Sequence, residues 1–207
     1  MNVAIIKYNA GNIFSVDCAL RRIGITAEIT DDPEKIRRAD KVIFPGVGEA
    51  SSAMAYLREH RLDEVIRSLT QPLLGICIGL QLLCAHSEEG DTDCIGIFDA
   101  PVKRFQPSAD GLKIPHMGWN RIQVTAENPL LTDALDNNFV YYVHSFYVPL
   151  NCWTIAKTEY IGEFSAAMRK DNFFATQFHP EKSGDTGEQI LKNFIELDNP
   201  CYRHNRR

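Results

Sequence analysis

The chain has 207 residues, 24% of them charged, and a formal net charge of −5 at pH 7. A mildly acidic balance without a basic block gives no reason to expect nucleic acid or an anionic membrane as a partner. No apolar run approaches the ~20 residues of a membrane span. The length suits one domain over residues 1–207 with its own core. The N-terminus opens on strand-like Asn2-Val3-Ala4-Ile5-Ile6 instead of a basic leader with a cleavage site, which points to the cytoplasm. Six cysteines stand at 18, 77, 84, 94, 152 and 201, none in C-x-x-C spacing, so free thiols are expected and no metal site.

In chain order, Val3–Ile6 reads as a buried strand, followed by a loop through Asn12. A helix follows with Ile13, Val16, Leu20 and Ile23 on one face and Gly24 as its stop. Residues 25–29 read as a second strand, and Asp32-Pro33 as a helix start with Asp at the N-cap. Lys41–Phe44 reads as a third strand running into Pro45-Gly46-Val47-Gly48; residues 50–58 and 62–69 have helical patterns, and residues 72–76 form a short apolar strand. This alternation predicts a parallel sheet with flanking helices. Later, stretches near 102–105, 121–124, 139–143, 154–158, 166–169 and 173–178 read as strands, with Asp171-Asn172 as a hairpin turn. Residues 186–197 read as an amphipathic helix and 201–207 as a frayed basic tail. The fold class is therefore α/β, with a central mixed but mostly parallel sheet flanked by helices.

The strand at 72–76 ends in Gly75-Ile76-Cys77-Ile78-Gly79, and a helix pattern begins at once, with Ile78, Leu82, Leu83 and Ala85. Gly-x-Cys-x-Gly at a strand-to-helix turn is the thiol counterpart of a nucleophile elbow. The following helix points N–H groups at the sulfur, a setting that favours thiolate. Chance places two glycines around one of six cysteines in about 3% of such chains, so the motif needs a base. Thr176-Gln177-Phe178-His179-Pro180-Glu181 supplies one: an imidazole to move the proton and a carboxylate to orient the imidazole. Alone, His-Pro-Glu is an ordinary turn after a strand. Tetrahedral chemistry also needs two N–H donors at the developing oxyanion. The N–H of Ile78 is one candidate, and that of Val47, between Gly46 and Gly48, is the other.

Cys77, His179 and Glu181 in this order, in Gly-Ile-Cys-Ile-Gly-Leu-Gln and His-Pro-Glu, resemble the class I (triad) glutamine amidotransferases. Pro45-Gly46-Val47-Gly48, Pro115-His116-Met117-Gly118-Trp119-Asn120 and Tyr142-Val143-His144-Ser145-Phe146 extend the resemblance over nearly the whole chain. It implies the flavodoxin-like fold of that family and hydrolysis of glutamine to glutamate and ammonia through a Cys77 thioester, without a cofactor. It implies that Gly46, Gly48, Gln81, Glu89, His144, Ser145 and Phe146 hold the glutamine. It further implies a partner, a (β/α)8-barrel cyclase subunit that receives the ammonia for histidine biosynthesis, docked over Asn12, Met117, Trp119, Asn120 and Lys182. Phe146 stands where related chains often carry Tyr. His116 is expected in a loop or at the interface, His86 on the elbow helix, and His60 and His204 on the surface. The alternatives are a stand-alone γ-glutamyl thiol hydrolase and a catalytically silent partner-binding protein; the Trp119 segment argues against the first and the intact triad against the second.

Overall fold

The computed structural model describes residues 1–9, 12–107 and 111–197. The first half alternates β1 (Val3–Ile6), α1 (Ile13–Arg22), β2 (Ala27–Thr30), α2 (Pro33–Arg38), β3 (Lys41–Phe44), α3 (Ala50–Glu59), α4 (Leu62–Arg67), β4 (Leu73–Ile76) and α5 (Ile78–Leu83). The second half is strand-rich: β5 (His86–Ser87), β6 (Thr92–Asp93), β7 (Pro101–Arg104), β8 (His116–Arg121), β9 (Gln123–Val124), β10 (Phe139–His144), β11 (Phe146–Tyr147), β12 (Thr154–Tyr160), β13 (Gly162–Lys170) and β14 (Phe173–Thr176), closed by α6 (Gly184–Glu196).

One eight-stranded sheet in the order β2-β1-β3-β4-β14-β13-β12-β9 carries the fold. From β2 to β14 the neighbours are parallel, and from β14 to β9 antiparallel. The parallel part has the flavodoxin-like order, whose ligands sit at the carboxyl ends of the strands. Every residue of β1, β3, β4 and β14 is buried, which is why these strands read as continuous apolar runs without alternation. Alternate side chains serve opposite faces. Val3, Ile5, Ile43 and Leu74 join α1 and α6 in one core, while Ala4, Ile6, Val42 and Leu73 join α3, α4 and α5 in the other. Two smaller units stand beside the main sheet, the β8–β10 ribbon and a four-stranded β11-β7-β5-β6 sheet.

The elements expected in the first half are present with ends moved by one or two residues. Asp32 caps α2 through Glu34 and Lys35 N–H groups, and Gly24 closes α1 at φ 80°. Four expectations need correction. The strand expected at 121–124 is the junction of β8 and β9, which belong to different sheets, and His116 lies in β8, 3% exposed, not in a loop. α5 stops at Leu83, where Cys84 turns extended, so Ala85 is off the helix and His86 belongs to β5. The last helix begins two residues early, at Gly184. The tail 201–207 and His204 lie outside the described residues.

The elbow is closely packed. A Cβ on Gly79 would stand 2.1 Å from the Phe44 carbonyl oxygen, and one on Gly75 3.0 Å from the Gly79 carbonyl. These two glycines let α5 lie directly on β3 and β4. Gly79→Ala is expected to lower the unfolding free energy by about 3 kcal/mol through overpacking. Gly162→Ala, where a Cβ meets nothing within 4 Å, should change it by less than about 0.5 kcal/mol; urea unfolding of both variants checks the contrast.

Candidate active site

Cys77 sits at the carboxyl end of β4 with φ 54° and ψ −107°. That left-handed conformation is costly for a residue with a side chain. Its neighbours hold it: the Cys77 N–H donates to the Thr176 carbonyl at 2.8 Å, and the Cys77 carbonyl accepts from Leu80 and Gln81 N–H at 3.0 and 3.3 Å. The described cysteines 18, 77, 84, 94 and 152 are all free. Burial pushes the Cys94 thiol up to about 12 and the Cys84 thiol higher, so both are inert near neutral pH.

Three residues beyond the end of β14, His179 is brought to the same edge. Its N–H donates to the Tyr141 carbonyl at 2.9 Å, and its carbonyl accepts from Ser183 Oγ at 2.6 Å. Nδ1 lies 2.8 Å from Glu181 Oε1. A carboxylate oxygen accepts, so Nδ1 carries the proton and Nε2 is left to exchange one. Nε2 is buried with no hydrogen-bond partner among the described residues. Burial works against the charged imidazole, but the Cys77 sulfur and then Glu181 outweigh it and hold the His179 pKa well above that of free imidazole. The charged imidazole is the form of His179 that this favours. Asn12 also donates to Glu181 Oε1. An expected interface residue therefore steadies the Glu181 carboxylate.

Val47, Gly48, Cys77, Ile78, Gln81, Glu89, Pro115, Val143, His144, Ser145 and Phe146 line one pocket of about 320 Å³. Thus the expected oxyanion donors and all expected glutamine contacts but one share its wall. The exception is Gly46, which stands behind the pocket. A Cβ there would be 2.1 Å from Tyr8 Oη and 2.3 Å from Ile78 Cγ2, and Tyr8 Oη donates to the Pro45 carbonyl at 2.7 Å. Glu89 accepts from the Ala50 N–H at 2.9 Å, tying the pocket's carboxylate to the helix that follows the Val47 loop. Burial raises its pKa, with Glu49 adding and the Ala50 N–H opposing. A larger cleft of about 660 Å³, lined by Thr70, Pro72, Asn172 and Glu196 among others, lies at the opposite end of β4 and holds no candidate catalytic residue.

A hydrogen-bonded relay runs from the β8–β10 ribbon into the pocket. His144 Nδ1 lies 2.7 Å from the Phe146 carbonyl, which can only accept, so His144 Nε2 is an acceptor for His116 Nδ1 at 3.1 Å. Asn120 Nδ2 approaches His116 Nε2 at 3.4 Å. The His116 ring is stacked between Tyr142 and Tyr160. Burial lowers the His116 and His144 pKa values to about 4 and about 3. On the ribbon's other face, Met117 and Trp119 are 63% and 56% exposed, and Phe139 is 48% exposed. Trp119 packs edge-on against Tyr141, whose N–H and carbonyl bond Ser183 Oγ and the His179 N–H. Lys182 is exposed beside Glu181.

Sequence reasoning did not find Gln177, which is fully buried with its Nε2 3.7 Å from Cys77 Sγ. Its one signal is a polar residue between Thr176 and Phe178, just after β14. Nor did it find Tyr8 or the His116–His144 pair, which depend on contacts between distant segments.

The sequence model of the family described as "Glutamine amidotransferase class-I" matches residues 5–197. The chain is 58% identical over 197 residues to the imidazole glycerol phosphate synthase subunit HisH of Bacteroides fragilis, covering 95% of this chain and 100% of that one. It is 51% identical over 197 residues to the protein of the same name from Idiomarina loihiensis, with 95% and 98% covered. Among solved structures, a glutamine amidotransferase superposes with a TM-score of 0.72 at 20% identity, covering 94% of this chain and 98% of that one; at that identity the likeness speaks for the fold.

Two histidines kept neutral have a consequence for stability. Their folded pKa values lie below the unfolded value near 6.5, so the unfolded chain binds more protons as pH falls. Their contribution is complete above about pH 6.5 and is lost as pH falls from there to about 4 for His116 and about 3 for His144, at a slope approaching about 1.4 kcal/mol per pH unit for each histidine. Denaturant unfolding from pH 7 to 4.5 checks this: His116→Phe, which keeps the stack with Tyr142 and Tyr160, should fall less steeply with acid than the natural chain.

Proposed function

We propose that this chain, which belongs to the glutamine amidotransferase class-I family, is the glutaminase subunit of imidazole glycerol phosphate synthase, the activity carried in the names of its relatives. The observation that carries the mechanism is the meeting of Cys77, His179 and Glu181 beside the pocket lined by Val47, Ile78, Gln81 and Glu89. Glutamine enters with its carboxamide at the sulfur. Cys77 attacks the carbonyl carbon, and the oxyanion is met by the N–H groups of Ile78 and Val47. His179 gives its proton to the departing ammonia, and Glu181 keeps the imidazole in register. Water, deprotonated by His179, then opens the γ-glutamyl thioester, leaving glutamate and the free thiol.

Recognition follows from the groups left available. The Glu89 carboxylate suits the α-ammonium, the segment His144-Ser145-Phe146 offers backbone to the α-carboxylate, and the Gln81 NH2 is engaged inside the protein, leaving its carbonyl oxygen for the ligand. Ammonia released into water would protonate, so a partner must take it up. The outward face of the β8–β10 ribbon presents Met117, Trp119 and Phe139, an apolar patch suited to a docking protein. The occupant is the (β/α)8-barrel cyclase subunit, with Asn120 and Lys182 at the margin. The chain works in the cytoplasm as one domain over residues 1–207; among the described residues no helix is long and apolar enough to cross a membrane.

Ammonia release from glutamine, measured with the cyclase and its nucleotide ligand, tests the reading. Cys77→Ala should lower it by at least about 10³-fold; near-natural activity in that variant would sink the mechanism. Trp119→Ala should weaken cyclase binding at least about 30-fold, the loss of a central anchor worth about 2 kcal/mol, while iodoacetamide still labels Cys77 at the natural rate. Parallel loss of labelling and binding would show that Trp119 supports the His179 segment through Tyr141 and would contradict a role in docking alone.

A further inference from the structure

We propose that Gln177 is a further catalytic-site residue: its side-chain N–H faces the Cys77 sulfur and holds it, as thiolate, in the direction of attack. The proposal rests on the reading of Cys77 as the nucleophile and assigns a task to a residue which that reading does not use.

The orientation of the Gln177 amide follows from its surroundings. The chain of constraint begins at the Phe146 carbonyl, a fixed acceptor. Gln81 Nε2 lies 3.1 Å from that oxygen, so Gln81 must turn its NH2 group inward. The same Nε2 lies 3.1 Å from Gln177 Oε1. Gln177 must therefore present its oxygen to Gln81, and its NH2 faces Cys77 Sγ at 3.7 Å. Reversing Gln177 would set two NH2 groups against each other in a buried site, and reversing Gln81 would set its oxygen against the Phe146 carbonyl. Backbone bonding fixes the position as well, because the Gln177 N–H donates to the Ala166 carbonyl at 2.8 Å.

Two contacts then distinguish the protonation states of the sulfur. The Val143 carbonyl, 3.9 Å away, can accept from the thiol but repels a thiolate. The Gln177 N–H gains strength when the sulfur is charged, since hydrogen bonds to ions are about twice as strong as neutral ones. Burying an amide is unfavourable unless its groups are bonded. Here one side of the amide is matched by Gln81 and the other by the nucleophile.

The test uses Gln177→Met and Gln177→Glu in complex with the cyclase and its nucleotide ligand. Peptide-resolved mass spectrometry follows the rate of iodoacetamide alkylation at Cys77 against pH, and kcat and KM for glutamine are measured alongside. Removing the donor should move the alkylation midpoint to higher pH and lower kcat about tenfold, the size of one hydrogen bond to a charged group, with KM changed less than kcat. The carboxylate of Gln177→Glu should move the midpoint further in the same direction. Folded variants that alkylate on the natural pH profile would overturn the assignment while leaving the glutaminase reading intact; inactivity of the natural complex would overturn the latter alone. Should either variant fail to fold, the natural chain labelled with ¹⁵N in its glutamine side chains supplies the answer. The Gln177 amide resonance is expected to shift when Cys77 is alkylated, and an unmoved resonance contradicts the proposal.

Discussion

The site depends on one parallel pairing, β4 against β14. Leu73 stands opposite Phe173 and the register continues to Ile76 opposite Thr176, residues one hundred apart in the chain. Because of it, Cys77 and His179, the proposed nucleophile and its base, leave the sheet side by side. Both strands are buried at every position, so hydrophobic patterning cannot distinguish this register from a slipped one. Polar contacts at the two ends do. At the start, the Leu73 N–H donates to the Asn172 carbonyl at 3.0 Å, and the Asn172 side chain donates to the Leu69 and Gln71 carbonyls at 3.0 and 2.9 Å. At the finish, the Cys77 N–H reaches the Thr176 carbonyl at 2.8 Å. A hairpin turn and a Cys77 held at positive φ thus pin the same pair of strands.

Close packing carries the constraint outward. Gly79 allows α5 to press on the Phe44 carbonyl, and Phe44 ends the strand that launches the Val47 loop. Gly46 is filled by the Tyr8 ring and Ile78, so the loop after β3, the first turn of α5 and the residues after β1 share one small volume. The electrostatics are set in the same place. His179, fully buried, draws its raised proton affinity from the sulfur and from Glu181, whereas His116 and His144 are held neutral by burial. The relay beside His179 is made of neutral donors and acceptors.

Much of this was legible in the sequence, and the legible parts share a cause. Strands β1, β3 and β4 and the helices between them announce themselves through local runs, caps and stops such as Asp32 and Gly24. The meeting of Cys77, His179 and Glu181 was foreseeable because each half lies in a short motif. The segment 115–120 was opaque because Pro115 and Gly118 break a strand pattern that only pairing with β10 restores. The early end of α5 was hidden because Ala85 continues the apolar spacing while the backbone has already turned to meet the β7 region, with the Ala85 N–H on the Ala100 carbonyl. Asn12 on Glu181 and Gln177 on Cys77 join residues more than ninety positions apart, and no local pattern signals such a contact.

The central claim is that Cys77 becomes covalently acylated by glutamine under the control of His179 and Glu181. The most direct measurement is acid quenching of the cyclase complex during turnover of labelled glutamine, followed by peptide mapping. The account predicts a γ-glutamyl thioester on the peptide containing Cys77, forming and decaying at rates that support ammonia release. Ammonia release with no adduct at Cys77, or with the label on another residue, would contradict it.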